Sequence, residues 1–331
     1  MTGSTGEFPA FRPRPPWLSG DLQTLRNFLR RPVVDLSRYA GERFILPMRD
    51  GSGDRLVGDL NRPDEDTGRP LVVLIHGLTG CSTGTYMLTS ALNLLADGYP
   101  VLRLNLRGAG PARSLCRNQY HAGRTADLRD AIAGLPPALL ANGLFAVGYS
   151  LGGNMLLKYL GEEGGGGPVR AAASVSAPVD LRTASVCLMR RRNRVYHGWL
   201  LRRMQEEALA GGGLGPAERE IIARVRRVYD FDDRFVAPRN GFGGADDYYA
   251  RNSALGFLPR IRVPTLVIHA LDDPWIPGAS YTTFNWSSNP SLTLLLPKQG
   301  GHVGFHGLGS RVPWHDHCLR LFFARVAGQQ G

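Results

Sequence analysis

Three residues whose types can together break an acyl bond, Ser150, Asp273 and His302, are spread along a chain of 331 residues. Serine is a weak nucleophile at its own pKa. It needs a base to take its proton, and the base needs a carboxylate to orient its imidazole and stabilise the cation it becomes. Ser150 stands in Gly148-Tyr149-Ser150-Leu151-Gly152, after an apolar run ending at Val147 and before Met155, Leu156 and Leu157 at helical spacing. That pattern predicts strand, sharp turn, helix, a setting that pushes the hydroxyl clear of the sheet and requires small residues two before and two after it. Both are glycine, and Gly153 lets the helix start close to its neighbouring strand. The helix N-terminus then directs free N–H groups and partial positive charge at the reacting centre.

The acid comes from Leu271-Asp272-Asp273-Pro274-Trp275-Ile276-Pro277, which follows an apolar run at 264–270. Asp272 competes for the role as a turn residue, and Asp273 is preferred because it stands directly before the Pro-x-x-Pro turn. His302 follows the last apolar run, 292–296, through Gly300-Gly301, and is preferred on that ground over His306 and His317. Attack on a carbonyl creates an oxyanion, for which the backbone N–H groups of Leu151 and of Leu78, in His76-Gly77-Leu78-Thr79-Gly80, are the expected donors. His76 is read as support for that loop, His121 and Asp127 as structural, and Cys81 as inert. No metal or organic cofactor is required.

Elements that can position these residues alternate along the chain. A hairpin is predicted from 43–46 and 55–60, then buried strands at 71–75, 99–104, 144–149, 170–175, 264–270 and 292–296. Helices at 87–96, 125–134, after Ser150, and at 314–326 separate or follow them. Such alternation predicts right-handed crossovers and a mostly parallel sheet, whose strand ends share one edge where distant residues meet. The alternation stops between about 181 and 256. Helical patterns at 196–209 and 217–228 and an aromatic, acidic loop at 229–249 predict a helical cap. The expected division is an N-terminal arm at 1–30 anchored by Phe8, Phe11 and Trp17, with Asp21 capping a short helix at 21–29. A core at 31–180 and 257–331 and the cap at 181–256 complete it.

Composition narrows the class. No run of about 18 apolar residues predicts a membrane span, and the N-terminal stretch lacks the pattern of a secretory signal, so a cytoplasmic protein is expected. The four cysteines form no Cys-x-x-Cys or Cys/His cluster, which excludes a disulfide framework and a zinc site from the expectation. The formal net charge of +11 is almost all arginine, since only Lys158 and Lys298 are lysines. No helix-turn-helix, zinc-finger or RNA-binding signature accompanies it, so nucleic acid is not an expected partner. The basic run around Arg190-Arg191-Arg192 leaves peripheral contact with an anionic membrane open, against a solvated helix face.

The chain order Ser, Asp, His is that of the α/β-hydrolases. Pro15-Pro16-Trp17-Leu18, Asp21-Leu22-Gln23-Thr24-Leu25, Tyr120-His121-Ala122-Gly123 and the stretch from Tyr229-Asp230-Phe231-Asp232 to Asp247-Tyr248-Tyr249 resemble motifs of the YheT-like branch of that fold, as do the loops around Leu78, Ser150 and Asp273. The resemblance covers nearly the whole chain. It implies an α/β-hydrolase fold with a cap and a carboxylester hydrolase with Ser150, Asp273 and His302 as its triad. Its relatives act on medium-chain acyl esters or phospholipids, and some transfer acyl groups to alcohols. The arginine-rich cap departs from the branch. The expected function is therefore hydrolysis of hydrophobic short- to medium-chain acyl esters or lipids through an acyl-enzyme. Acyl transfer to an alcohol, or a binding protein that keeps the fold without catalysis, are the alternatives.

Overall fold

The computed structural model describes residues 8–328; the first seven residues of the expected arm and the last three of the core lie outside them. Its strands are β1 Gly41–Pro47, β2 Arg55–Asn61, β3 Leu71–Ile75, β4 Val101–Asn105, β5 Leu144–Tyr149, β6 Val169–Val175, β7 Thr265–Ile268 and β8 Leu292–Leu295. They form one sheet in the order β1-β2-β4-β3-β5-β6-β7-β8. β2 runs antiparallel to both of its neighbours, β1 and β4, and every other pairing is parallel.

β3, β4, β5 and β7 are buried end to end, as strands covered on both faces must be. Period-two alternation divides them between two cores. Leu71, Val73 and Ile75 join one with Leu128, Met155 and Leu156, whereas Val72 and Leu74 join the other with Met87, Ala91 and Phe323. Each such large side chain contributes about 1.5–3 kcal/mol by leaving water.

The helices of eight or more residues, among the described residues, are α1 Gly20–Arg30, α2 Thr85–Ala96, α3 Thr125–Ala133, α4 Leu151–Glu163, α5 Leu181–Leu188, α6 Arg194–Leu209, α7 Pro216–Arg224, α8 Ala245–Asn252 and α9 Trp314–Gly328. α1 is capped by Ser19, whose Oγ accepts the Leu22 N–H, and not by Asp21. Asp21 instead accepts from Arg192 and Tyr196. Ahead of α1, Phe8 and Trp17 are buried, and Phe11 packs edge-on to Phe305 and Trp314.

Between β6 and β7 the chain forms helices over the carboxyl edge of the sheet. The segment expected as a loop at 229–249 is mostly helical: a turn at Val228–Phe231, a π-turn at Asp232–Val236, a turn at Ala237–Arg239, then α8. Phe231, Phe235, Tyr248 and Tyr249 are buried there. Glycines and paired aspartates hide this helical period in the sequence, and tertiary packing of the aromatics overrides them. α7 also ends earlier than the 217–228 pattern predicts. Val225 is extended, and the Val228 N–H is taken by His197 Nε2.

Candidate active site

β5 delivers Ser150 to the carboxyl edge of the sheet. Its φ of 50° and ψ of −123° lie outside the helical and extended regions, the strain expected of a sharp strand-to-helix turn. Two glycines make the turn sterically feasible. A Cβ on Gly148 would stand 2.4 Å from the Gly152 carbonyl oxygen, and one on Gly152 would stand 2.4 Å from that of His76.

The structure brings all three sequence-expected side chains together. Ser150 Oγ lies 2.9 Å from His302 Nε2, and His302 Nδ1 lies 2.8 Å from Asp273 Oδ2. An ionised Asp273 accepts from Nδ1–H, which leaves Nε2 free to accept the serine proton. The other oxygen, Oδ1, accepts the N–H groups of Trp275 at 2.8 Å and Ile276 at 3.1 Å. Burial pushes the Asp273 carboxyl up, but His302, His269 and the Trp275 N–H outweigh it and hold its pKa below the ordinary carboxylate range.

The His302 loop is tied at several points that the sequence does not reveal. The His302 N–H donates to Thr24 Oγ1 of α1 at 2.8 Å, the Gly301 N–H to Asp272 Oδ1 at 2.9 Å, and the Val303 N–H to Ser176 Oγ at 3.1 Å. Asp272 thus anchors the loop that carries His302. The indole of Trp275 stacks on the His302 ring, with centroids 4.4 Å apart. The competing histidines lie elsewhere: the His306 N–H donates to Gln23, and His317 Nε2 meets Ser310 Oγ.

The two expected oxyanion donors frame Ser150. The N–H of Leu151 is the first of α4 and has no intrahelical acceptor. On the other side, Tyr86 Oη accepts the Gly77 N–H at 2.9 Å and Tyr120 Oη accepts the Thr79 N–H at 2.7 Å. The Leu78 N–H, between them, has no acceptor among the described residues. His76 pins the same loop, with Nδ1 2.8 Å from the Gly77 carbonyl oxygen and Nε2 accepting the Leu106 N–H at 3.1 Å. Burial lowers its pKa to about 4, so it is neutral in this role.

His121 and Asp127 belong to the supporting structure. Asp127 accepts two N–H groups of the buried Arg107, at 2.9 and 2.6 Å. His121 packs edge-on against Phe242 and Tyr248. Cys81 Sγ lies 3.1 Å from Thr83 Oγ1 and has no base beside it.

Above Ser150 and His302 is a cavity of about 140 Å³. Leu188, Leu200, Met204 and Phe231, from the helices between β6 and β7, supply much of its apolar lining. Such a chamber can hold a hydrocarbon chain while its edge carries Ser150.

A family model described as the alpha/beta hydrolase fold matches residues 70–220. The chain is 34% identical over 305 residues to the putative esterase YheT of Escherichia coli, with 88% of each chain covered. It is 31% identical over 290 residues to medium-chain fatty acid ethyl ester synthase/esterase 2 of Saccharomyces cerevisiae, covering 77% of this chain and 62% of that one. It thus spans less than two thirds of the yeast relative's length. An esterase structure from Pyrococcus furiosus superposes with a TM-score of 0.60 at 15% identity, over 97% of this chain and 99% of that one, and shares the fold. A mostly parallel eight-stranded sheet, a serine at the strand-to-helix turn and the match to YheT along most of both chains lead to one conclusion: the chain belongs to the α/β-hydrolase family, in its YheT-like branch.

Proposed function

We propose that the protein is a serine carboxylester hydrolase for hydrophobic esters with short- to medium-chain acyl groups. The observation that carries this reading is the unbroken hydrogen-bond chain from Ser150 through His302 to Asp273, opening onto an apolar cavity. Ser150 Oγ attacks the ester carbonyl carbon as its proton passes to His302 Nε2, and Asp273 stabilises the imidazolium. The N–H groups of Leu78 and Leu151 receive the oxyanion, where losing one donor typically costs about 10²–10³ in rate. His302 then returns the proton to the departing alkoxide, leaving an acyl-enzyme. Water, deprotonated by the same imidazole, releases the acid. In this reading, residues 181–256 act as a cap that supplies the acyl pocket, on a core of 31–180 and 257–331 against which the arm at 1–30 packs.

The test is hydrolysis of p-nitrophenyl esters of graded acyl length by the wild type and Ser150→Ala, with serine-directed phosphonate labelling in parallel. Activity and labelling that both vanish in the variant support the mechanism, and the length optimum sizes the pocket. A wild type that neither labels nor turns over any ester overturns it.

Alcoholysis on the same acyl-enzyme is a second reading, supported by the likeness to the yeast ethyl ester synthase/esterase. Ester formation from an acyl donor in added ethanol distinguishes it from hydrolysis alone. A third element of the reading is contact with an anionic lipid surface. Val195 and Trp199 are 76% and 43% exposed on α6, beside Arg190, Arg191, Arg192 and Arg194. Co-sedimentation with anionic but not neutral vesicles, weakened by salt, supports it; no binding to either overturns it. Among the described residues, no helix is long and apolar enough to cross a membrane.

A further inference from the structure

Two carboxyl groups, those of Glu207 and Asp232, line the otherwise largely apolar cavity over Ser150. Glu207 has a structural task. Its Oε2 accepts from Tyr120 Oη, which in turn accepts the Thr79 N–H of the oxyanion loop, and Arg113 stands 3.6 Å from its other oxygen. Asp232 is less fully occupied. It sits at the start of the π-turn Asp232–Val236 and is only 9% exposed. Tyr249 Oη donates to its Oδ2 at 2.6 Å, and the same Oη lies 3.2 Å from Ser185 Oγ. Among the described residues Tyr249 is the one side chain that donates to this carboxyl, through Oδ2, and no cation pairs with it.

A pocket made only to hold hydrocarbon would be served better by a leucine at this position, because a buried carboxyl short of partners is costly. An acceptor kept short of donors inside a ligand cavity fits a ligand that brings the missing donor. We infer that Asp232 is a specificity-determining residue that hydrogen-bonds a hydroxyl group of the substrate, so that the preferred ester carries a hydroxyl on its alcohol or acyl part. This rests on the ester-hydrolase reading above and narrows its substrate class. Burial raises the Asp232 pKa to about 7, so near neutrality the group is present both as acceptor and as donor, and a hydroxyl answers either form.

The test compares kcat/KM within two matched pairs, for the wild type, Asp232→Leu and Asp232→Asn. Glyceryl monobutyrate against propyl butyrate reads a hydroxyl on the alcohol side; methyl 6-hydroxyhexanoate against methyl hexanoate reads one on the acyl side. The wild type is expected to favour the hydroxylated member of one pair by about tenfold or more. Asp232→Leu removes that preference, and Asp232→Asn, whose amide still hydrogen-bonds, keeps part of it. A merely structural role would slow both members of a pair alike and leave their ratio unchanged. A wild type that labels with phosphonate but shows a ratio near one in both pairs overturns this inference alone, as does a ratio that survives in Asp232→Leu. A wild type that neither labels nor hydrolyses any ester overturns the hydrolase reading and this inference with it.

Discussion

The indole of Trp275 lies over the imidazole of His302, centroids 4.4 Å apart and planes inclined by 27°. The stack fixes a ring that hydrogen-bonds at both nitrogens, and in the proposed mechanism its π-face stabilises the imidazolium formed when Ser150 gives up its proton. Trp275→Ala is expected to lower kcat about tenfold with a smaller change in KM, and Trp275→Phe to recover most of the loss. The Trp275 N–H to Asp273 is a backbone bond and survives both changes. Equal kcat in Trp275→Ala and wild type would show the stack to be incidental.

Tyr120 connects the oxyanion loop to the helices above it, accepting from the Thr79 N–H and donating to Glu207. Tyr120→Phe strands both partners, at about 1–3 kcal/mol of stability. It also loosens the neighbouring Leu78 N–H, whose proposed work falls in the transition state, so kcat should fall while KM holds. Steady-state kinetics beside a denaturant titration checks both; a change confined to KM would place Tyr120 in substrate binding instead.

Gly152→Ala places a methyl 2.4 Å from the His76 carbonyl oxygen and 2.6 Å from that of Ile75. Both are backbone atoms in the centre of the sheet and cannot turn aside. A destabilisation of about 2–3 kcal/mol and loss of phosphonate labelling are expected. A variant that melts and labels like the wild type would mean the turn relaxes more than its packing allows.

Burial pushes the pKa values of His76 and His269 down to about 4, and those of His121 and His306 to about 3. Below the ordinary value near 6.5 these rings take up protons only when the chain unfolds, so stability falls with pH from 6.5 toward those values. Between pH 6.5 and 5.5 each ring held neutral by burial costs on the order of 1 kcal/mol of stability. Asp232, raised to about 7, acts with the opposite sign: its contribution weakens as pH rises from about 4 to 7. Urea midpoints should therefore drop steeply between pH 6.5 and 5.5. A flat profile there would mean that these histidines protonate inside the fold.

Much of this architecture is legible in the sequence because burial on both faces leaves an unmistakable mark. Leu71-Val72-Val73-Leu74-Ile75 has no polar residue to place in water, so it reads as an internal strand. Ser150, Asp273 and His302 stand out because each follows the end of such a run, and parallel strands bring those ends to one edge. What stays hidden are side chains whose roles arise only across that edge. Tyr120, Thr24 and Trp275 carry no periodic signal, and their partners are backbone atoms or rings far away in the chain. Ser19 is concealed by the acidic Asp21 beside it, the more obvious cap. The helices around Asp232 are masked by glycines and acids that only the packed aromatics overrule.

The loop bearing His302 closes against α1: its backbone is held by Thr24, and the His306 N–H by Gln23. Ser150, the loop around Leu78 and Asp273 all precede β8, whereas His302 follows it. A chain synthesised up to the start of β8 therefore holds Ser150, the loop around Leu78 and Asp273, but not the histidine that the proposed mechanism uses to join them. In the proposed mechanism the site therefore stays silent during synthesis until the segment after β8 appears and folds back onto α1, made long before it.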